Sequence, residues 1–278
     1  MSVLPGKEIA ARLRQQARER AAELSERGRP PRLAVVVATD DGGSAWYVSS
    51  IARAAEKVGI ACDVVDLGAD ASARVIADRL DELGRDAKVH GIILQTPLPE
   101  GVSASELAER IPVDKDVDGA NPASLGRLAA GLTAFAPATA EAVVAILDHH
   151  EVSLEGVEVA VVGRSTVVGK PLAHLLLDRN ATVTVCHSRT RDLPEVCSRA
   201  HVLVAAVGRP ALIGADHVRS GAVVVDVGTN PTEEGGLVGD VDADEVSEKA
   251  GALTPVPGGV GPVTTALLLR HTVDAASR

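Results

Sequence analysis

Aromatic residues are nearly absent: the 278 residues include one Phe, one Tyr and one Trp. A core must therefore come from Ala, Val, Leu and Ile, which supply almost all of the 46% hydrophobic content. Cysteine is scarce as well. Cys62, Cys186 and Cys197 are odd in number and show no C-x-x-C spacing, so neither a disulfide framework nor a zinc cluster is expected. They read as buried small residues in a reducing compartment, and no metal is expected. Basic residues number 28 against 38 acidic ones, a formal charge of −10, and no basic run exceeds a dipeptide. A phosphate-backbone footprint needs the opposite balance, so nucleic acid and anionic membranes are not expected partners. No segment approaches the roughly 18 uninterrupted apolar residues of a membrane span. The N-terminal "MSVLPGKEIAARLRQQARERAAEL" is an amphipathic helix pattern without a continuous apolar run, so no signal peptide is visible. The expectation is a soluble, cytoplasmic protein.

What the sequence does contain is a rhythm of short apolar runs alternating with helical patterns. "RLAVVVATD" (32 to 40), "ACDVVDL" (61 to 67) and "VHGIILQT" (89 to 96) read as buried parallel strands, separated by helix-length segments 43 to 58 and 71 to 84. The rhythm restarts with "VEVAVVG" (157 to 163), "ATVTVCH" (181 to 187), "HVLVAAVG" (201 to 208) and "GAVVVDVG" (221 to 228). Crossovers of this length suit parallel strands, which a tight hairpin cannot join. The predicted class is α/β, with two lobes divided near residues 130 to 140 and a C-terminal helix (261 to 278) returning to the first. In open parallel sheets ligands sit beyond the carboxyl ends of the strands, so the residues just after each run carry the most weight.

After the run at 157 to 163 come Gly163, Arg164 and Ser165, then a helix opening near Val168 with Gly169 and Pro171. Backbone N–H groups and the helix dipole can cradle an anion in such a turn. The spacing is not G-x-G-x-x-G, so an ordinary tight βα turn stays open on this pattern alone. The following strand ends in His187, Ser188, Arg189 and Thr190, with no carboxylate where NAD-specific folds place one. Guanidinium and hydroxyl groups there, with Arg164, suit a 2′-phosphate, which favours NADP; the plainer alternative makes Arg189 a solvated loop charge. "TPVPGGVGP" (254 to 262) interleaves prolines with glycines before a helix, the composition of a fixed loop.

Several stretches fall together in one order: "YVSS" (47 to 50), "GIILQTPLPEG" (91 to 101), "DKDVDG" (114 to 119), "GRSTVVGKP" (163 to 171), "DVGTN" (226 to 230), "GDVD" (239 to 242) and "TPVPGGVGPVT" (254 to 264). With them the chain resembles, over essentially its whole length, the bifunctional methylenetetrahydrofolate dehydrogenase/methenyltetrahydrofolate cyclohydrolase family. The resemblance implies a homodimer acting on tetrahydrofolate derivatives in one-carbon metabolism. It implies a folate-binding catalytic domain over 1–137 plus 261–278 and a Rossmann NADP-binding domain over 138–260. Carried over, Gly163, Arg164, Ser165, Ser188 and Thr229 contact NADP. Tyr47 lines the folate pocket and stacks on the ligand, Gln95 sits at the catalytic centre, Asp118 hydrogen-bonds the pterin, and Gly261 and Pro262 shape the folate wall. Trp46 is read as packing.

Three stretches depart from the family. The lysine of Y-x-x-x-K is Ile51; Ala138 and Ala140 stand in "APATA" where the family reads P-C-T-P; and Ala120 replaces an aromatic after Gly119. Residues 47 and 51 are about one helical turn apart and share a face. Arg53 and Lys57 lie far round that helix, and Lys115 matches another family position, so local spacing shows no substitute cation. Hydride transfer needs proximity and orientation, whereas hydrolysis of the methenyl product needs proton transfers that a lysine would serve. The expectation is an NADP-dependent dehydrogenase whose cyclohydrolase step is weak or lost. The alternative is a degenerate paralogue that binds NADP or folate without turnover.

Overall fold

The computed structural model describes residues 1–232 and 235–278. By spatial clustering the chain forms two compact units: residues 11–138 with 265–278, and residues 1–10 with 139–264. The chain opens with strand β1 (Ser2–Val3) and helix α1 (Lys7–Glu26).

In the unit of residues 11–138, β2 (Arg32–Val37), β3 (Ala61–Asp66) and β4 (Gly91–Leu94) form a parallel sheet in the order β3-β2-β4. Its register sets Val35 against Val64 on one side and Ile93 on the other. Central β2 is buried through Leu33, Ala34, Val35 and Val36, the continuous apolar run of a strand covered on both faces. The crossovers are α2 (Gly42–Lys57) and α3 (Ala73–Arg85). Helix α3 starts where the Ser72 hydroxyl accepts from the Val75 N–H, and it buries Ile76, Leu80 and Leu83 at helical spacing against Ala34, Val36 and Ile92. Each such side chain contributes about 1.5–3 kcal/mol by leaving water. Short α4 (Ala104–Ala108) and α5 (Pro122–Ala129) precede α6 (Ala138–His149).

The second unit is a parallel six-stranded sheet. It uses β5 (Glu158–Val162), β6 (Thr182–Cys186), β7 (Val202–Ala205) and β8 (Val223–Asp226), with helices α7 (Gly169–Leu177) and α8 (Leu193–Cys197) between them. A two-residue antiparallel pair, β9 (Asn230–Pro231) and β10 (Leu237–Val238), precedes α9 (Ala243–Ser247), β11 (Ala252–Leu253) and α10 (Val260–Ala276). The order β1-β11-β8-β7-β5-β6 is a Rossmann-type winding: β5 lies inside, and the chain moves outward from it in both directions.

Residues 265–278 group with residues 11–138. Residues 1–10 group with residues 139–264. There β1 pairs with β11, and Gly6 packs so tightly on Gly259 that no side chain fits. Residues 261–264 cluster with them.

Candidate active site

Asp41 caps α2 by accepting from the Ser44 N–H at 2.7 Å, which fixes the start of the helix that carries Tyr47. One turn on, the buried Ser44 hydroxyl donates to the Thr96 carbonyl at 3.2 Å. Gln95, just past the carboxyl end of β4, donates its amide to the same carbonyl at 2.7 Å and reaches the Ser44 hydroxyl at 3.5 Å. Ser44, which the sequence reading missed, therefore links α2 to the β4 end. The only sequence sign of it was its place one turn before Tyr47.

Tyr47 is half-buried, and its side chain hydrogen-bonds Thr265. Burial first, then the charge of Asp118, pushes its ionisation well above the ordinary range, so the phenol stays a donor. Three acids crowd "DKDVDG", and the structure separates them. Asp114 is exposed. Asp116 is fully buried and takes up the N–H groups of Ala120 (2.9 Å) and Asn121 (3.0 Å) and the hydroxyl of Ser124 (2.6 Å). That carboxylate holds the loop. Asp118 differs from both: burial, then the charge of Asp116, raises it to about 7, opposed by His271. His271, in the apolar run of α10, sits 2.8 Å from the Val117 carbonyl and 4.9 Å from the ring of Phe135. Neither His271 nor Thr265 was legible, because each lies far along the chain from its partner: His271 is 154 residues from Val117, and Thr265 is farther still from Tyr47.

Ile51 is fully buried, on the α2 face formed by Ser44, Val48, Ile51 and Ala55. Arg53 and Lys57 are exposed. Lys115 is committed elsewhere: its ammonium donates to the carbonyls of Gly84 (2.8 Å) and Asp86 (2.7 Å), closing the end of α3. Ala138 and Ala140 are fully buried and Ala120 is half-buried. Trp46 is not packing as expected: 63% of it is exposed, since it lies off the buried face of α2.

In the second unit the candidate cofactor residues lie at carboxyl strand ends, where the winding places a ligand. Gly163 has a φ of +132°, and a Cβ there would overlap the carbonyl of Ala206; a Cβ on Gly169 would overlap Gly163 itself. Only glycine allows this turn. The Val168 N–H donates to the Ser165 hydroxyl at 3.1 Å, and α7 begins at Gly169. Arg164 and Ser165 are exposed here, Ser188 and Arg189 after β6, and Thr229 after β8. The 187–190 turn is closed by the Thr190 hydroxyl, which accepts from the His187 N–H at 2.9 Å. Two guanidinium groups and three hydroxyls with no carboxylate among them form a donor set that fits an anionic dinucleotide bearing a 2′-phosphate. Gly261 is exposed and Pro262 half-exposed, both in the first turn of α10 and in this same unit. Among the described residues, no group of three His, Cys, Asp or Glu could hold a metal ion, and no helix is long and apolar enough to cross a membrane.

Known proteins match both units. The catalytic-domain model of tetrahydrofolate dehydrogenase/cyclohydrolase matches residues 4–118, and the NAD(P)-binding-domain model matches residues 137–278. A curated relative, Bifunctional protein FolD 1 of Saccharopolyspora erythraea, is 64% identical over 275 residues, 99% of this chain and 94% of that one. Among solved structures, the bifunctional methylenetetrahydrofolate dehydrogenase/cyclohydrolase FolD of Campylobacter jejuni is 40% identical with a TM-score of 0.96, covering 100% of this chain and 99% of its own. The Trypanosoma brucei enzyme, solved with NADP cofactor and an inhibitor, is 33% identical with a TM-score of 0.94, covering 100% and 98%.

Proposed function

The chain belongs to the tetrahydrofolate dehydrogenase/cyclohydrolase family, and from that premise we propose that it oxidises 5,10-methylenetetrahydrofolate to the 5,10-methenyl form with NADP, and that its hydrolysis of that product is weak or absent. One observation carries this reading. Tyr47, Gln95 and Asp118, the residues the family resemblance assigns to the folate pocket, lie in one unit, while a fully buried isoleucine stands where the resemblance expects a lysine.

Gly163, Arg164, Ser165, Ser188 and Thr229 would hold NADP, with Arg189 toward the 2′-phosphate; when bound, the cofactor supplies a hydride acceptor. Tyr47 offers a flat apolar face for the ligand's rings and keeps its phenolic proton. Asp118 accepts from the pterin N–H groups, a charge-assisted contact once ionised. Gln95, held by Thr96, orients the one-carbon end. Oxidation leaves a methenyl cation on the substrate, and an apolar residue 51 adds no opposing charge to it. Water attack on that cation requires a group to take a proton, and Ile51 has none. Both relatives named as bifunctional FolD argue for two activities in the family; Ile51, at the position where the family resemblance expects a lysine, is the ground for doubting the second activity here.

Purified protein mixed with NADP and methylenetetrahydrofolate is expected to accumulate the methenyl chromophore together with NADPH. NADP binding without that signal would favour the alternative, a binding protein without turnover. We also place the protein in the cytoplasm, where its three free thiols suit a reducing compartment, and read it as a homodimer. Strand β3 is a sheet edge with Val64 exposed, a surface able to pair with a second copy. Sedimentation at twice the chain mass is expected; a monomer at micromolar concentration would contradict it.

A further inference from the structure

In two motifs, "DVGTN" (226 to 230) and "GDVD" (239 to 242), the aspartates have no part yet in the chemistry. Their carboxylates meet beneath the strand ends of the six-stranded sheet. Asp240 is fully buried. One of its oxygens accepts from the N–H groups of Val207 (2.6 Å) and Gly208 (3.0 Å). The other accepts from the Arg209 N–H (2.9 Å) and the Asn230 side-chain amide (3.0 Å). Asp226 holds Asp240 in turn, accepting from the N–H groups of Asp240 (2.9 Å), Val241 (3.0 Å) and Gly228 (2.9 Å). The glycines of both motifs are explained by this packing. A Cβ on Gly239 would overlap the Asp226 carboxylate, and one on Gly228 would overlap Asp240.

The place of the turn gives this network a function. Strand β5 runs outward to β6 on one side and lies beside β7 on the other, so the winding reverses between the carboxyl ends of β5 and β7. A nucleotide binds at such a point. One wall of that crevice is the Gly163 turn, and the other is residues 206–209. The two touch where Gly163 meets the Ala206 carbonyl, and the Ala206 N–H donates to Val162 at 2.8 Å. Asp240 gathers three consecutive N–H groups of the second wall. Through Asn230 it also ties down the segment after Thr229.

We propose that Asp240 is a positioning residue for NADP: from beneath the sheet ends it sets the shape of the 206–209 wall and of the Thr229 segment, without touching the cofactor. Its oxygens are already engaged by four donors, which leaves them no role as metal ligands. A carboxylate is needed because an amide would turn a donor toward donors. The inference rests on the cofactor reading above.

The test measures NADP binding to wild-type protein by calorimetry, then KM for NADP and for methylenetetrahydrofolate in Asp240→Asn and Asn230→Ala. Asp242→Ala, which removes only the cap of α9, serves as a control for general loosening. For Asp240→Asn, KM for NADP is expected to rise about tenfold or more, the effect of roughly 1.4 kcal/mol. KM for the folate should stay within about twofold, and Asn230→Ala should give a smaller rise of the same kind. If wild-type protein does not bind NADP, the cofactor reading fails and this inference with it. If it binds, and folded Asp240→Asn binds equally well, Asp240 is only structural. Equal rises in both KM values, or the same rise in Asp242→Ala, would also overturn the proposal. Should Asp240→Asn fail to fold, Asn230→Ala decides: unchanged NADP affinity in that variant overturns it.

Discussion

Ile51→Lys is expected to raise methenyltetrahydrofolate hydrolysis by about two orders of magnitude or more, the usual worth of a positioned acid–base group. The side chain starts from the α2 face one turn beyond Tyr47, and Ile51 is sealed from water. A lysine introduced there loses hydration, which lowers its proton affinity and makes the neutral amine accessible near neutral pH. That is the state able to accept a proton from attacking water. The same desolvation costs stability, so a lower melting temperature should accompany the gain. Hydride transfer should change only a few-fold, because it needs alignment and not a base. Ile51→Met separates the chemistry from the packing: it keeps the volume, brings no proton acceptor, and should leave hydrolysis as it was. A folded Ile51→Lys protein with no gain would place the lost activity elsewhere in the pocket.

Asp118→Asn is expected to lower kcat/KM for methylenetetrahydrofolate by about 10- to 100-fold, corresponding to one hydrogen bond to a charged group. Its pH dependence carries more information than its size. Burial and the neighbouring Asp116 raise Asp118 to about 7. In wild-type protein kcat/KM should therefore rise through pH 7 as the carboxylate forms, and the asparagine variant should lose that inflection. Stability should respond in the opposite sense. A carboxyl whose folded-state value lies above its unfolded one, near 3.9, contributes most below that lower value. The contribution then declines as pH rises toward 7. The melting temperature of wild-type protein should fall relative to Asp118→Asn between about pH 4 and 7. Asp116 and Asp226 are raised as well, but both remain in the variant, so the difference isolates Asp118. Parallel melting curves across that range would mean that Asp118 is not the titrating group.

The parallel strands were legible because a strand buried on both faces reads as an unbroken apolar run. β2, β5, β7 and β8 each fall inside such a run. β1 and β11 were not legible. Two residues give no periodicity, and their pairing depends on chain ends about 250 residues apart. That pairing is why residues 1–10 group with residues 139–264. In the site, Tyr47, Gln95 and Asp118 were visible as residue types in motifs. What the motifs hid was which carboxylate takes which donors: Asp116 and Asp240 are spent on backbone N–H groups, whereas Asp118 is raised by burial and by Asp116. Which carboxylate receives which donors is a property of tertiary contact. Trp46 was misread for a related reason, since its exposure depends on which face of α2 the sheet covers.

The most direct measurement compares the two half-reactions on one purified sample, starting from methylenetetrahydrofolate with NADP and, separately, from methenyltetrahydrofolate. With an apolar residue at 51, methenyl formation should outrun its hydrolysis by about two to four orders of magnitude, after subtraction of the spontaneous rate. Comparable rates for the two steps would contradict the account.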